Sequence, residues 1–285
     1  MTNKIKISNL KSVGNSVYQI KNGDVFINPE KIKLIIFDKD GTLSDLNMWL
    51  DIIKNRAKQL GKYFDLSQTQ IDEIIRKMGL EPRNNKILDI AIITQSRPET
   101  ENIVANELVK LGIKQKTAFE STHRIFGEVD KVTDLIAIAR PLGNLKRLFT
   151  HFSEAGIKIA VATSDIAERC EKIMEAFGVS KFISAISGAD SIKNDKPAPD
   201  MVHKICDMLK IPQEKTAVVG DNIWDHQMAK SAGCPLSIGV LTGKDDYKTM
   251  IEFADCVVNT IENINIINEK RKMENGERKE KRNDK

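Results

Sequence analysis

Apolar, β-branched-rich runs recur at residues 32–37 (IKLIIF), 157–163 (IKIAVAT), 216–220 (TAVVG) and 236–241 (LSIGVL), with DCVV at 255–258 as a fifth. Each has the length of a strand and is apolar at most positions, as strands buried on both faces are. Between them lie helical patterns: LGNLKRLFTHFSEAG and DIAERCEKIMEAFG, both stopped by glycine, then APDMVHKICDMLK and DHQMAKSAG. This alternation predicts an α/β fold with a doubly wound, mostly parallel, Rossmann-like sheet wrapped by helices. From about Met48 to Arg140 the alternation stops. MWLDIIKNRAKQLGKYF, SQTQIDEIIRKMG and ENIVANELVKLG read as helices there, and ILDIAIIT is the one weak strand candidate. The interval predicts a helical domain, residues 48–140, inserted into a core of residues 1–47 and 141–268. Ahead of the first core strand, SVYQIKNGDVFI reads as a hairpin around Asn22-Gly23, a pair that accepts the positive φ angles of a tight turn. Residues 269–285 form a charged tail that reads as frayed helix or disorder.

With 285 residues, 41% of them hydrophobic and 29% charged, the chain has the composition of a soluble globular protein with room for a substantial core. No apolar run approaches the ~20 residues that span a bilayer, so no membrane role is expected. The net charge of +4 is small, and its basic tail is interleaved with acidic residues, which argues against nucleic-acid binding. Cys170, Cys206, Cys234 and Cys256 are scattered without a CxxC pair, so neither a disulfide framework nor a zinc site is indicated and a reducing, cytoplasmic setting is the default. The first twenty residues carry lysine and serine and no acid, faintly like an organelle-targeting segment, but lack arginine and a helical period. Oligomeric state is not legible.

In open parallel sheets ligands sit beyond the carboxyl ends of the strands. After the first core strand come Asp38, Asp40, Gly41 and Thr42; after the second, Thr163 and Ser164; after the third, Asp221, Asn222 and Asp225. Carboxylates converging in one crevice repel unless a cation joins them, and an oxygen donor set without histidine or cysteine favours Mg²⁺ over zinc. Lys196, in KNDKPAPD, could bring an ammonium to a phosphoryl oxygen, and Thr163 a hydroxyl. These are parts for phosphoryl transfer through an aspartyl-phosphate. Taken singly each has a plainer reading: a DxDG turn, a helix N-cap at Asp221, a strand-end hydroxyl at Thr163, a surface lysine at Lys196.

Four segments carry a resemblance. DKDGTLSD resembles the first motif of the haloacid dehalogenase superfamily, VATS its second, Lys196 in KPAPD its third and VVGDNIWD its fourth, in order from about residue 32 to 262. ARPLGNLKRLFTHFSEAG and AGCPLSIGVLTG are similar to segments of its phosphoglycolate-phosphatase-like members. The resemblance implies a Mg²⁺-dependent phosphatase acting on a small phosphorylated metabolite, with a helical cap of the first type. It implies Asp38 as nucleophile and Asp40 as general acid and then base. Mg²⁺ would be held by the Asp38 side chain, the Asp40 carbonyl and Asp221, supported by Asp225, with Thr163, Ser164 and Lys196 binding the phosphoryl group. A phosphomutase of the β-phosphoglucomutase type, or a non-catalytic phosphoryl-binding regulator, is the alternative; a dehalogenase is disfavoured by the second aspartate.

Departures from the pattern are Lys39, which strand alternation would point away from the crevice, and LNMW after Asp45, where the cap hinge falls. Asn222 and Asp165 receive no role. Arg83, Arg97 and Arg140 are candidates for an anionic substrate. His123, His151, His203 and His226 read as structural or exposed, and Trp49 and Trp224 as packing residues.

Overall fold

The structure, a computed structural model, describes residues 16–88 and 97–267. Its first elements are the strands β1 (Tyr18–Lys21) and β2 (Asp24–Ile27), paired antiparallel with Lys21 opposite Asp24. Asn22 (φ 55°) and Gly23 (φ 88°) form the turn, and two successive positive φ angles are what a two-residue hairpin of this hand requires.

The main sheet has six parallel strands: β3 (Leu34–Phe37), β6 (Lys158–Thr163), β7 (Ile183–Gly188), β8 (Thr216–Gly220), β9 (Leu236–Val240) and β10 (Cys256–Val258). Their order is β10-β9-β8-β3-β6-β7, so the chain begins in the middle, builds outward to one side and then crosses to the other. That reversal places the switch point, where a parallel sheet opens a crevice, beside β3. The five sequence-predicted strands are present; β7 was not foreseen. It is an edge strand, exposed at Ser184 and only half-buried at Ile183 and Ile186, and its two serines deny ISAISG the continuous apolar signal of its neighbours. Also unforeseen is the short strand β11 (Ile264–Ile266), which pairs with β2.

Alternate residues of the buried strands face opposite layers. Ile35, Phe37, Ile159, Val161 and Val219 pack against α6 (Leu145–Glu154) through Phe149 and Phe152, and against α7 (Ala167–Ala176) through Ile173 and Met174. Leu34, Ile36, Ala160 and Val218 face α8 (Asp200–Leu209) and α9 (Ile223–Ser231). Each of these side chains other than Ala160 contributes roughly 1.5–3 kcal/mol on burial, which holds the strand ends in register for the site above them.

Between β3 and β6 run α1 (Asn47–Phe64), α2 (Gln68–Lys77), the two-residue pair β4 (Leu80–Glu81) and β5 (Lys86–Ile87), α3 (Arg97–Lys110), α4 (Gln115–Val132) and α5 (Leu135–Ile138); none adds a strand to the main sheet. Asp45 starts α1 by accepting the Asn47 N–H at 2.9 Å, and Ser67 and Gln70 cap α2 reciprocally. Helix α4 was not read from the sequence, where Gly127 and scattered threonines interrupt its period. Most of ILDIAIIT and the whole 269–285 tail lie outside the described residues, and Ile87 of that stretch closes β5. Among the described residues no helix is long and apolar enough to cross a membrane.

Candidate active site

Strand β3 ends at Phe37, and the chain leaves it with the Asp38 N–H still bonded to the Val219 carbonyl at 2.8 Å. Asp38 is therefore fixed between β3 and β8 at the switch point. Strand β8 delivers Asp221 at its own end, and the first turn of α9 delivers Asp225. Carboxylate oxygens of Asp38, Asp221 and Asp225 lie within 4.8 Å of one another, and all three residues are buried. Lys196, from the loop before α8, enters the same space: its Nζ donates to Asp38 Oδ1 at 2.6 Å and to Asp225 Oδ1 at 2.7 Å. The plainer readings of a surface lysine and a solvated DxDG turn are thereby excluded.

The N-cap of α9 is Asn222, whose Oδ1 accepts the Trp224 N–H at 2.9 Å, while Asp225 Oδ2 accepts the Asn222 N–H at 3.3 Å. Asp221 is thus relieved of capping, the role it could have had from sequence, and Asn222 gains one. The Asp221 carboxylate accepts instead from the Lys244 N–H at 2.8 Å and the Thr42 hydroxyl at 3.4 Å. Glycine is required on both sides of it. Gly41 has φ 89°, and a Cβ there or on Gly243 would run into the Asp221 carboxylate.

One ammonium among three buried acids leaves a surplus of negative charge. Burial pushes Asp38 up to about 6, with Lys196 opposing the rise and Asp225 adding to it. Burial likewise raises Asp221 well above the ordinary carboxylate range, helped by the charges of Asp38 and Asp225. For Lys196 burial alone would favour the neutral amine, but Asp225 and Asp38 outweigh it and hold the ammonium charged.

Asp40 lies on the other side of the turn, and burial raises its carboxyl too, with Lys39 acting against the rise. Strand alternation misplaced Lys39. The strand has ended at Phe37, so a period of two no longer governs residues 38–40, and the fully buried Lys39 ammonium reaches Asp40 Oδ2 at 2.6 Å and Asp165 Oδ2 at 3.2 Å. Asp165, given no role from sequence, also meets Arg169 Nη1 at 2.7 Å.

Thr163 closes β6; its Oγ1 accepts the Asp165 N–H at 3.1 Å, which leaves its own proton free to donate. Ser164 lies nearby, but its hydroxyl is already given to Asp195 Oδ1 at 3.1 Å, which makes it the weaker of the two as a phosphoryl donor.

A cavity of about 570 Å³ opens beside Asp40, with Trp49, Ser164 and Asp165 in its walls. Three arginines also line it: Arg56 of α1, Arg97 of α3 and Arg169 of α7. They converge on Asp130 of α4, at 2.6, 2.7 and 3.7 Å respectively. Of the three arginines singled out in the sequence, only Arg97 lines this cavity. Arg140 spends its guanidinium on the carbonyls of Ala137 and Ala139, and Arg83 sits exposed in the β4–β5 turn. Arg56 and Arg169 were missed because 113 positions separate two side chains that only the fold brings together. Trp49 is buried as expected, with the Lys39 Nζ 5.6 Å from its ring centroid, and Lys244 stands over Trp224 at the same distance. His123 is exposed and pairs with Glu101, whereas His226 is buried and held neutral, its pKa pushed down to about 4 chiefly by burial.

The chain is similar to several known proteins. The chain is 26% identical over 223 residues to a phosphoglycolate phosphatase of Shigella dysenteriae serotype 1, covering 75% of this chain and 83% of that one. It is 23% identical over 240 residues to a phosphorylated carbohydrates phosphatase of Thermotoga maritima, covering 84% and 99%. The crystal structure of a predicted phosphoglycolate phosphatase from Haemophilus somnus superposes with a TM-score of 0.63 at 22% identity, over 81% of this chain and 95% of that one. The family model for haloacid dehalogenase-like hydrolases matches residues 32–233, a span that begins just before β3 and its Asp38 and ends just past α9 and its Asp225. The chain belongs to the haloacid dehalogenase-like hydrolase family.

Proposed function

We propose that the protein is a Mg²⁺-dependent phosphatase that hydrolyses a small phosphorylated metabolite through an aspartyl-phosphate on Asp38. The observation that carries this reading is the meeting of Asp38, Asp221 and Asp225 within 4.8 Å at the sheet's switch point, with Lys196 bonded to two of them. The oxygen donor set, its surplus negative charge and the two glycines that leave Asp221 room fit a hard divalent cation. Asp38 and Asp221 would hold it with the Asp40 carbonyl, Asp225 supporting. There the ion would neutralise the phosphoryl oxygens as negative charge shifts among them.

The chain's own residues supply the rest. Asp38 attacks phosphorus as the bond to the leaving oxygen breaks, and Asp40 gives that oxygen a proton. Asp40 then takes a proton from the water that attacks the aspartyl-phosphate, which returns the Asp38 carboxylate and releases phosphate. Lys196 orients Asp38, and together with Thr163 it offers hydrogen bonds to phosphoryl oxygens. The inserted helices act as the cap, and their cavity wall of Arg56 and Arg97, with Arg169 of α7, bounds the space for the leaving group. The relatives' names point to phosphoglycolate or a sugar phosphate as the kind of monoester to try first.

A panel of phosphate monoesters assayed with chelator and with Mg²⁺ tests the proposal. Release of inorganic phosphate should require the added ion; turnover that persists in chelator, or transfer to a second hydroxyl of the substrate in place of release, contradicts it.

The same site predicts a pH dependence of metal stabilisation. In the metal-free protein Asp38 holds its proton up to about pH 6, above its ordinary value of 3.8, so a cation must displace that proton at lower pH. The rise in Tm on adding Mg²⁺ should therefore shrink as pH falls through about 6 toward 4, and Asp221, whose carboxyl is raised as well, adds to the protons that the ion must displace. His226 also lowers total stability on acidification: buried neutral, with its pKa pushed down to about 4, it costs stability as pH falls from 6.5 to 4. Comparing Tm with and without the ion at each pH cancels that contribution. A Tm gain that does not vary with pH would count against Asp38 as a ligand.

A further inference from the structure

Lys39 is a cation with no path to solvent, inserted between the two aspartates of the first motif. It meets both oxygens of the Asp40 carboxylate, Oδ1 at 2.8 Å and Oδ2 at 2.6 Å. Its other neighbours include Asp165 Oδ2 at 3.2 Å, the Trp49 ring, 5.6 Å to the centroid, and the buried Cys170 thiol. Among the described residues, no other side chain is bonded to the Asp40 carboxylate. Asp165 is itself anchored: its Oδ1 accepts the Ile166 N–H at 2.8 Å and Arg169 Nη1 at 2.7 Å, which turns Oδ2 toward Lys39.

The terminal torsion of an aspartate is broad, so a carboxyl in a cavity wall samples many orientations unless something holds it. Here the holding group is a single ammonium, itself fixed from behind by an aspartate on another element. We infer that Lys39 is a positioning residue for Asp40, and that Asp165 anchors Lys39. The inference rests on the reading of Asp40 as general acid. When one Asp40 oxygen takes up the proton it gives up its contact with Lys39; the other oxygen stays on the ammonium, and the hydroxyl is left to face the leaving group. The proton passes to that oxygen as its bond to phosphorus breaks and the Asp38–phosphorus bond forms, so the step needs no further reactant.

Leaving groups separate this role from a merely structural one. An alkyl phosphate needs a proton on its departing oxygen; dinitrophenyl phosphate does not. General acid catalysis contributes about 10²–10⁴-fold, and losing its orientation should forfeit about 10-fold or more of that. Lys39→Met should therefore lower kcat/KM for the alkyl ester about 10-fold or more beyond any loss on dinitrophenyl phosphate. KM should move little. Asp165→Asn, which leaves the Lys39–Asp40 contact but frees its anchor, should show a smaller loss of the same kind, and Lys39→Arg should recover part of it. Near-ultraviolet circular dichroism shows whether each variant is folded, and Asp165→Asn carries the test if Lys39→Met is not.

An equal loss on both esters, or none, in the folded variants overturns the inference. Asp40→Asn is the control for the underlying reading: if it too loses equally on both esters, the general-acid assignment fails, and with it the basis of this proposal. If Asp40→Asn discriminates between the esters and the Lys39 and Asp165 variants do not, the positioning role alone is wrong.

Discussion

Asp38→Asn is expected to lose turnover of phosphate monoesters by about 10⁴-fold or more, the scale seen when a covalent nucleophile is removed. The replacement has nearly the same shape, but an amide nitrogen or oxygen does not displace an alkoxide from phosphorus. The fold should survive the change. Burial already pushes the Asp38 carboxyl up to about 6, against the pull of Lys196, so its charge is held at a cost and removing it relieves the surplus. Lys196 keeps Asp225 as a partner at 2.7 Å. Loss of activity with an unchanged or raised Tm in chelator is the combined result expected; substantial turnover in the variant would remove Asp38 from the mechanism.

Lys196→Met is expected to fail in the opposite way, through stability as well as rate. Its ammonium is nearly inaccessible, 3% exposed, and bridges Asp38 and Asp225, whose side chains are 9% and 0% exposed. Removing one partner of a buried ionic group leaves the other charges unpaired, and costs about 3–5 kcal/mol. Urea unfolding in chelator measures that loss. Added Mg²⁺ should recover part of it, because the ion would supply positive charge to the same carboxylates. Turnover should fall by about 10²-fold or more, since Asp38 loses the contact that aims it and small misplacements of reacting groups cost that much. A Lys196→Met protein as stable as the parent in chelator would show that the ammonium does not balance these acids.

The residues of the proposed site were readable because a parallel sheet converts sequence order into position. Asp38, Thr163 and Asp221 each follow an apolar run, and every such run ends on the same edge of the sheet. Lys196 was legible as a candidate from its loop and its motif, but its bonds to Asp38 and Asp225 were not, since nothing in a loop's composition tells how far its side chain reaches. Lys39 was misplaced because alternation was carried past the end of β3 into a turn. The arginine wall escaped notice for a different reason. Arg56, Arg97 and Arg169 lie on three helices and are assembled by Asp130 on a fourth, a contact pattern with no local signature. The missed β7 and β11 show the limit of hydrophobic patterning at sheet edges, where serine or asparagine within a short strand is tolerated.

The most direct test is to find the phosphoryl group on the chain. The enzyme is mixed with a phosphate monoester and Mg²⁺, quenched in acid within one turnover, reduced with tritiated borohydride, which expels the phosphate and leaves a labelled alcohol in place of the acyl phosphate, and digested for mass spectrometry. The account predicts a reduced, formerly phosphorylated aspartate at position 38 alone, absent when Mg²⁺ is withheld. Label on another residue, or rapid turnover with no phosphorylated aspartate trapped on any time scale, would contradict it.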